Sequence, residues 1–220
     1  MRHFLYAALL CWFAVPVAAQ TKLNPRLKHE LDSIYEVDQR YRAMLFEPRL
    51  TRNPDSLATA LGVSKEALNA TIINRMQSAD AANMERMHAI LKQYGYPGKS
   101  LVGAPTNDAA WHVIQHNPAT ISTYLPLVKV AAEKGEIPFT RYAMMLDRHL
   151  MDGGKEQLYG TQVTSYNGKP PFVWPIQNPA QVNQRRKQAG FSDTVEKYVT
   201  RFGVTYRVIT LEEVEKMPKQ

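Results

Sequence analysis

From Lys65 to Tyr94 the chain contains no glycine or proline, and Leu68, Ile72, Met76, Ala79, Met87, Ile90 and Tyr94 share one face at helical spacing. This pattern predicts one long helix, stopped by Gly95 and Pro97. A helix with a single apolar stripe needs partners to cover it, and the rest of the chain supplies them. Asn24-Pro25 reads as a cap with proline at the first helical position, followed by Leu27, Leu31, Ile34, Tyr41 and Leu45 up to about Phe46. Thr51 to Ser64 reads as a loop or short helical insert. Further helices are expected over Asp108 to His116, from after Pro118 to about Lys134 with a kink or delay at Pro126, and from Pro138 to Met151. Two more are expected, from Asn178-Pro179 to Ala189 and from Ser192-Asp193 to Phe202, each followed by glycine.

The pattern changes between Thr161 and Trp174, where Tyr166-Asn167-Gly168-Lys169 is the turn signal of a hairpin. Val204 to Ile209 reads as a strand, and Thr210-Leu211-Glu212-Glu213 as a capping box opening a last short helix. The expected fold is therefore mainly α: one irregular multi-helix domain with one small β-hairpin. Neither repeats nor a linker long enough to divide two domains are visible.

Met1-Arg2-His3, the apolar run Phe4 to Val15 and the small residues Val17-Ala18-Ala19 read as a secretory leader cleaved after Ala19. The apolar run is short for a bilayer span, and no other stretch could serve as one. The expected mature domain is 20–220, exported to a periplasm or the exterior. The single cysteine, Cys11, lies in the leader, so the mature chain would have neither disulfides nor a cysteine nucleophile. The net charge of +7 is spread along the chain, with Gln184-Arg185-Arg186-Lys187 its densest run, and this is not the footprint of a nucleic-acid binder.

Several polar residues fall where apolar ones belong. Asp38 lies in the stripe of Ile34, Tyr41 and Leu45, with Arg42 one turn on as its expected structural partner. Asn83 interrupts the face of Ala79, Met87 and Ile90, with Asp80 at its edge. Asp147 flanks the face of Ala143 and Leu150, and Arg186 lies between Val182 and Ala189. Two accounts are open: a hydrogen-bonded stability network, or a shared pocket. His112 and His116 are one turn apart, a spacing that can serve a metal with Asp80 or Asp147, but no third ligand is fixed by spacing, and no metal or other cofactor is expected. Neither a nucleophile elbow, a phosphate loop nor a dinucleotide fingerprint occurs.

Taken together, Asp38-Gln39 with Arg42, Asp80 with Asn83, Tyr94-Gly95-Tyr96-Pro97, Trp111 with Gln115-His116, Asp147-Arg148, Tyr159-Gly160-Thr161-Gln162, and Asn183 with Arg185-Arg186 before Gly190 resemble an uncharacterised bacterial family, domain of unknown function 6624. The resemblance covers about 31–202, leaves 203–220 as a tail, and places His112 and His149 outside its motifs. It implies a helical domain of no assigned activity, so no catalytic role is carried over from it. Among the motif groups His116 is the natural general acid or base, with Asp147 to orient it and Tyr159 beside them as a phenol. Asp80, Asn83, Gln115, Gln162, Arg185 and Arg186 are the candidate ligand-binding groups, Arg186 as an anion anchor. Trp111 is expected in the core. The resulting expectation is an exported domain with a polar pocket for a small anionic or polar ligand, hydrolysed with His116 as base. The alternative is a non-catalytic envelope module in which the same residues form only a network.

Overall fold

A computed structural model of the protein describes residues 23–166 and 170–217. The expected leader and the turn residues Asn167 to Lys169 lie outside the described residues. Asn24 caps α1 (Pro25–Phe46), its side chain accepting from the Leu27 N–H at 3.0 Å. Two short helices, α2 (Pro48–Thr51) and α3 (Pro54–Leu61), form the insert. The long helix α4 (Leu68–Tyr94) ends at Gly95, whose φ of 69° is readily reached by glycine. The pieces α5 (Lys99–Val102), a 3₁₀ turn at Thr106–Asp108 and α6 (Ala109–Gln115) lead to α7 (Pro118–Glu133) and α8 (Phe139–Asp152). Helix α7 continues through Pro126, which neither delays nor ends it.

Leu27, Leu31 and Ile34 of α1, Met87 and Ile90 of α4, Val113 and Ile114 of α6, Val128 of α7 and Met145 of α8 form the main core. Trp111 is buried there, as expected, its indole N–H donating to the Arg141 carbonyl at 2.8 Å. The hairpin is short: β1 (Val163–Thr164) pairs antiparallel with β2 (Phe172–Val173). A second core joins Val173 and Ile176 to Val182 of α9 (Val182–Gln188) and Val195, Tyr198 and Val199 of α10 (Val195–Thr200). The expected strand at Val204 to Ile209 does not form. The segment finds no ladder partner and instead buries Ile209 against Trp174, beside Val214 of α11 (Leu211–Glu215). The capping box at Thr210 and Glu213 is present in both directions. No described helix is long and apolar enough to cross a membrane.

Candidate functional site

The face of α1 that buries Leu27, Leu31 and Ile34 also carries Asp38 inward, leaving the residue 1% exposed. A dry carboxylate needs partners, and most of these come from side chains. His116 Nδ1 lies 2.9 Å from Asp38 Oδ1, and Gln39 Nε2 donates to Oδ2 at 2.6 Å. Arg42 Nη1 donates to the Asp38 carbonyl at 2.6 Å and lies 3.4 Å from Oδ1. The expected Asp38–Arg42 pair exists, but the main ionic partner of Arg42 is Asp80 on α4, held by both guanidinium nitrogens at 2.9 and 2.8 Å. Asn83, one turn from Asp80, spans the same helix pair by donating to the Ile34 carbonyl at 3.3 Å.

Burial works to raise the Asp38 carboxyl, but the hydrogen bond and charge of His116, then Arg42, outweigh it and hold the group below its ordinary value. Asp38 is therefore a carboxylate and can only accept, so the facing nitrogen of His116, Nδ1, is the donor of their hydrogen bond. The His116 side chain is 23% exposed, which leaves the imidazole in reach of solvent while its orienting carboxylate is dry.

One turn earlier, burial and then the charge of Arg141 push His112 down to about 4, so its ring is neutral at neutral pH. Asp38, His112 and His116 each offer one ligand atom, and these atoms lie within 4.8 Å of one another, a carboxylate and two imidazoles that could hold a divalent transition metal. His112 also walls a cavity of about 170 Å3 with Tyr35, Thr106, Asp108 and Arg141. Arg141 lies 4.6 Å over the Trp111 ring and binds Asp108 Oδ2 at 2.6 Å through Nη2. The other edges of that pair, Asp108 Oδ1 and Arg141 Nε, are buried without a hydrogen-bond partner among the described residues, as is Gln115 Oε1.

Asp147, expected beside His116, is committed elsewhere. It is 0% exposed and accepts the backbone N–H groups of Leu158 at 2.8 Å, Tyr159 at 3.0 Å and Thr161 at 3.0 Å, plus the Thr161 hydroxyl at 2.9 Å. Burial pushes its carboxyl up, and these donors pull against that. Tyr159 serves this centre through its backbone, donating N–H to Asp147 and giving its carbonyl to Arg186 Nη1 at 2.7 Å. Gln162 belongs to a knot with Gln157: Gln157 Oε1 accepts the Gln162 N–H at 2.8 Å, and Gln157 Nε2 donates to the Gln162 and Trp174 carbonyls. Arg185 donates Nε to the Leu158 carbonyl at 2.9 Å and its other nitrogens to the carbonyls of Gln177 and Asn178. Arg186 is 1% exposed, donates Nε to the Asp193 carbonyl at 2.9 Å, and lies over the Phe191 and Tyr198 rings.

The expected site residues thus separate into two centres. His116, Asp38, Arg42, Asp80 and Asn83 meet where α1, α4 and α6 cross; Asp147, Tyr159, Gln162, Arg185 and Arg186 meet around the segment after α8. Asp38, not Asp147, orients His116, because α1 packs directly on α6 whereas the Asp147 oxygens are consumed by backbone amides. Asp108, Arg141 and Gln157 were not foreseen. Their importance comes from contacts across loops, and only the position of Gln157 just before the Tyr159 to Gln162 motif hinted at it.

Fold and site together define a helix-rich domain with a dry carboxylate orienting a solvent-reachable imidazole. The chain belongs to the family described as a family of unknown function, DUF6624, whose model matches residues 25–209. No curated protein and no solved structure matches it.

Proposed function

We propose that this is an exported domain that binds a small anionic or polar ligand beside α6 and hydrolyses it, with His116 as general base and Asp38 as its orienting group. The observation that carries this reading is the 2.9 Å contact between His116 Nδ1 and the buried Asp38 carboxylate. With Nδ1 donating to Asp38, Nε2 takes a proton from water as the water oxygen attacks the electrophilic centre of the ligand. The bond to the leaving group then breaks, and the imidazolium returns the proton to that group. The cavity walled by His112, one turn from His116, is the place for the ligand, with the Asp108 and Arg141 side chains on its walls.

The test is a panel of chromogenic phosphate and carboxylate esters, with His116→Ala as the variant. The expected result is turnover of at least one ester, reduced about 10²- to 10⁴-fold in the variant, with circular dichroism checking that the variant is folded. Turnover unaffected by His116→Ala, or no ester turned over by the wild type, would favour the purely structural module. The ligand atoms of Asp38, His112 and His116 support a second reading, in which the same hydrolysis is metal-assisted. Under that reading the purified protein takes up one Co²⁺ per chain, and His112→Gln abolishes both uptake and turnover; under the first reading that substitution leaves turnover in place.

A further inference from the structure

The first turn of α8 opens on a different hollow, of about 320 Å3, walled by Thr140, Arg141, Arg186, Phe191, Asp193 and Arg201. The helix cap here is Pro138, which gives no side-chain hydrogen bond, and the first turn carries no acidic residue. The positive end of a 14-residue helix therefore meets the hollow without an acidic residue in its own first turn. Gly190, at φ 87°, belongs to the chain passing over this helix start: a Cβ there would lie 4.0 Å from Thr140 Cγ2.

A second observation is independent of the helix. Arg186 is almost wholly buried, and with Nε and Nη1 given to the carbonyls of Asp193 and Tyr159, its Nη2 has no partner among the described residues. A buried guanidinium edge without an acceptor is costly unless something fills the place. Arg201 stands beside it, 4.2 Å over the Tyr198 ring and 3.3 Å from Asp193 Oδ2. Asp193 is the single carboxylate on the walls, against three guanidinium groups, and Lys197 already binds it at 2.8 Å. Arg141 is neutralised by Asp108. The surplus charge in the hollow is therefore positive, with donors on α8, α9 and the end of α10.

We propose that this hollow binds a phosphoryl group, with Arg186 Nη2, Arg201 and the backbone N–H of Thr140 at the start of α8 as its donors. Donors approaching from three separate elements suit the peripheral oxygens of a tetrahedral oxyanion better than the two coplanar oxygens of a carboxylate. The inference goes beyond the hydrolytic reading and does not need it, because none of these residues touches Asp38 or His116.

The test is titration of the purified protein with inorganic phosphate by calorimetry, with acetate at equal ionic strength as comparison. Saturable one-to-one phosphate binding is expected, weakened about tenfold or more in Arg201→Gln, lost in Arg186→Lys and unchanged in His116→Ala. Circular dichroism checks that each variant is folded. Should Arg186→Lys not fold, Arg201→Gln decides alone, since its side chain is half exposed and outside both cores. Absence of saturation, equal affinity in Arg201→Gln, or acetate binding as tightly as phosphate would each overturn the assignment. Loss of phosphate binding in His116→Ala would also overturn it, by placing the anion at the other centre.

Discussion

Asp38 and Asp147 are both buried aspartates on helices, yet they are satisfied in different ways. The Asp38 carboxylate is held by an imidazole at 2.9 Å and an amide side chain at 2.6 Å, with a guanidinium 3.4 Å away, all of them side chains able to move. Asp147 is held by three backbone N–H groups and a hydroxyl within a stretch of four residues. Backbone amides cannot rearrange without unmaking the loop, so a carboxylate that consumes them is a brace. A carboxylate whose partners are side chains leaves them free to rearrange, and under the proposed function the one open to solvent is the group that transfers the proton. Burial alone does not separate the two roles; the kind of partner does.

The largest expected effect falls on the brace. Asp147→Ala strands several buried N–H groups and should cost about 3–5 kcal/mol, measured by equilibrium urea unfolding. A loss within 1 kcal/mol, on the order of one ordinary hydrogen bond, would break the comparison. Gly160 lies in the same braced segment at φ 67°, where an added Cβ would come 2.6 Å from Val195 Cγ2 and 2.8 Å from Ile176 Cδ1. Gly160→Ala should therefore cost about 2 kcal/mol or more by the same measurement.

The Asp38 centre should show itself through pH instead. His112 falls from an ordinary 6.5 to about 4 on folding, so the unfolded chain binds that proton more readily between these values. The stability this contributes is present above pH 6.5 and lost as the pH falls toward 4. With the ring partly exposed, about 1–2 kcal/mol should disappear over that window in the metal-free protein, and the corresponding part of the curve should be flat in His112→Gln. A wild-type curve already flat there would show that the ring is not held neutral. The smallest effect marks the baseline: Arg148, bonded to Asp152 on the exposed side of α8 at 3.2 Å, should cost about 0.5 kcal/mol or less on Arg148→Ala.

The helices were legible because their signals are local. Asn24-Pro25, Gly95 and the Thr210 to Glu213 box each act within one turn, and α1, α4 and α11 begin or end where these residues place them. The strand expected at Val204 to Ile209 failed for the opposite reason, since a β-strand needs a neighbour that no local pattern can guarantee. The inward-facing positions of Asp38, Asn83 and Arg186 were visible from helical periodicity, and all three are buried. Their partners were not. Asp38 and His116 are 78 residues apart, and Arg42 and Asp80 are 38 apart. Periodicity shows which face a residue occupies but not which helix arrives opposite, so Asp147 was paired with His116 in place of Asp38.

The most direct test is urea unfolding of Asp38→Asn and Asp147→Asn side by side at pH 7. An asparagine amide in place of Asp38 can be met by reorienting Gln39 and His116, whereas one in place of Asp147 turns an N–H donor toward backbone donors that cannot turn away. The account predicts a loss of about 3 kcal/mol for Asp147→Asn against about 1 kcal/mol for Asp38→Asn. Equal losses, or the larger loss at Asp38, would contradict it.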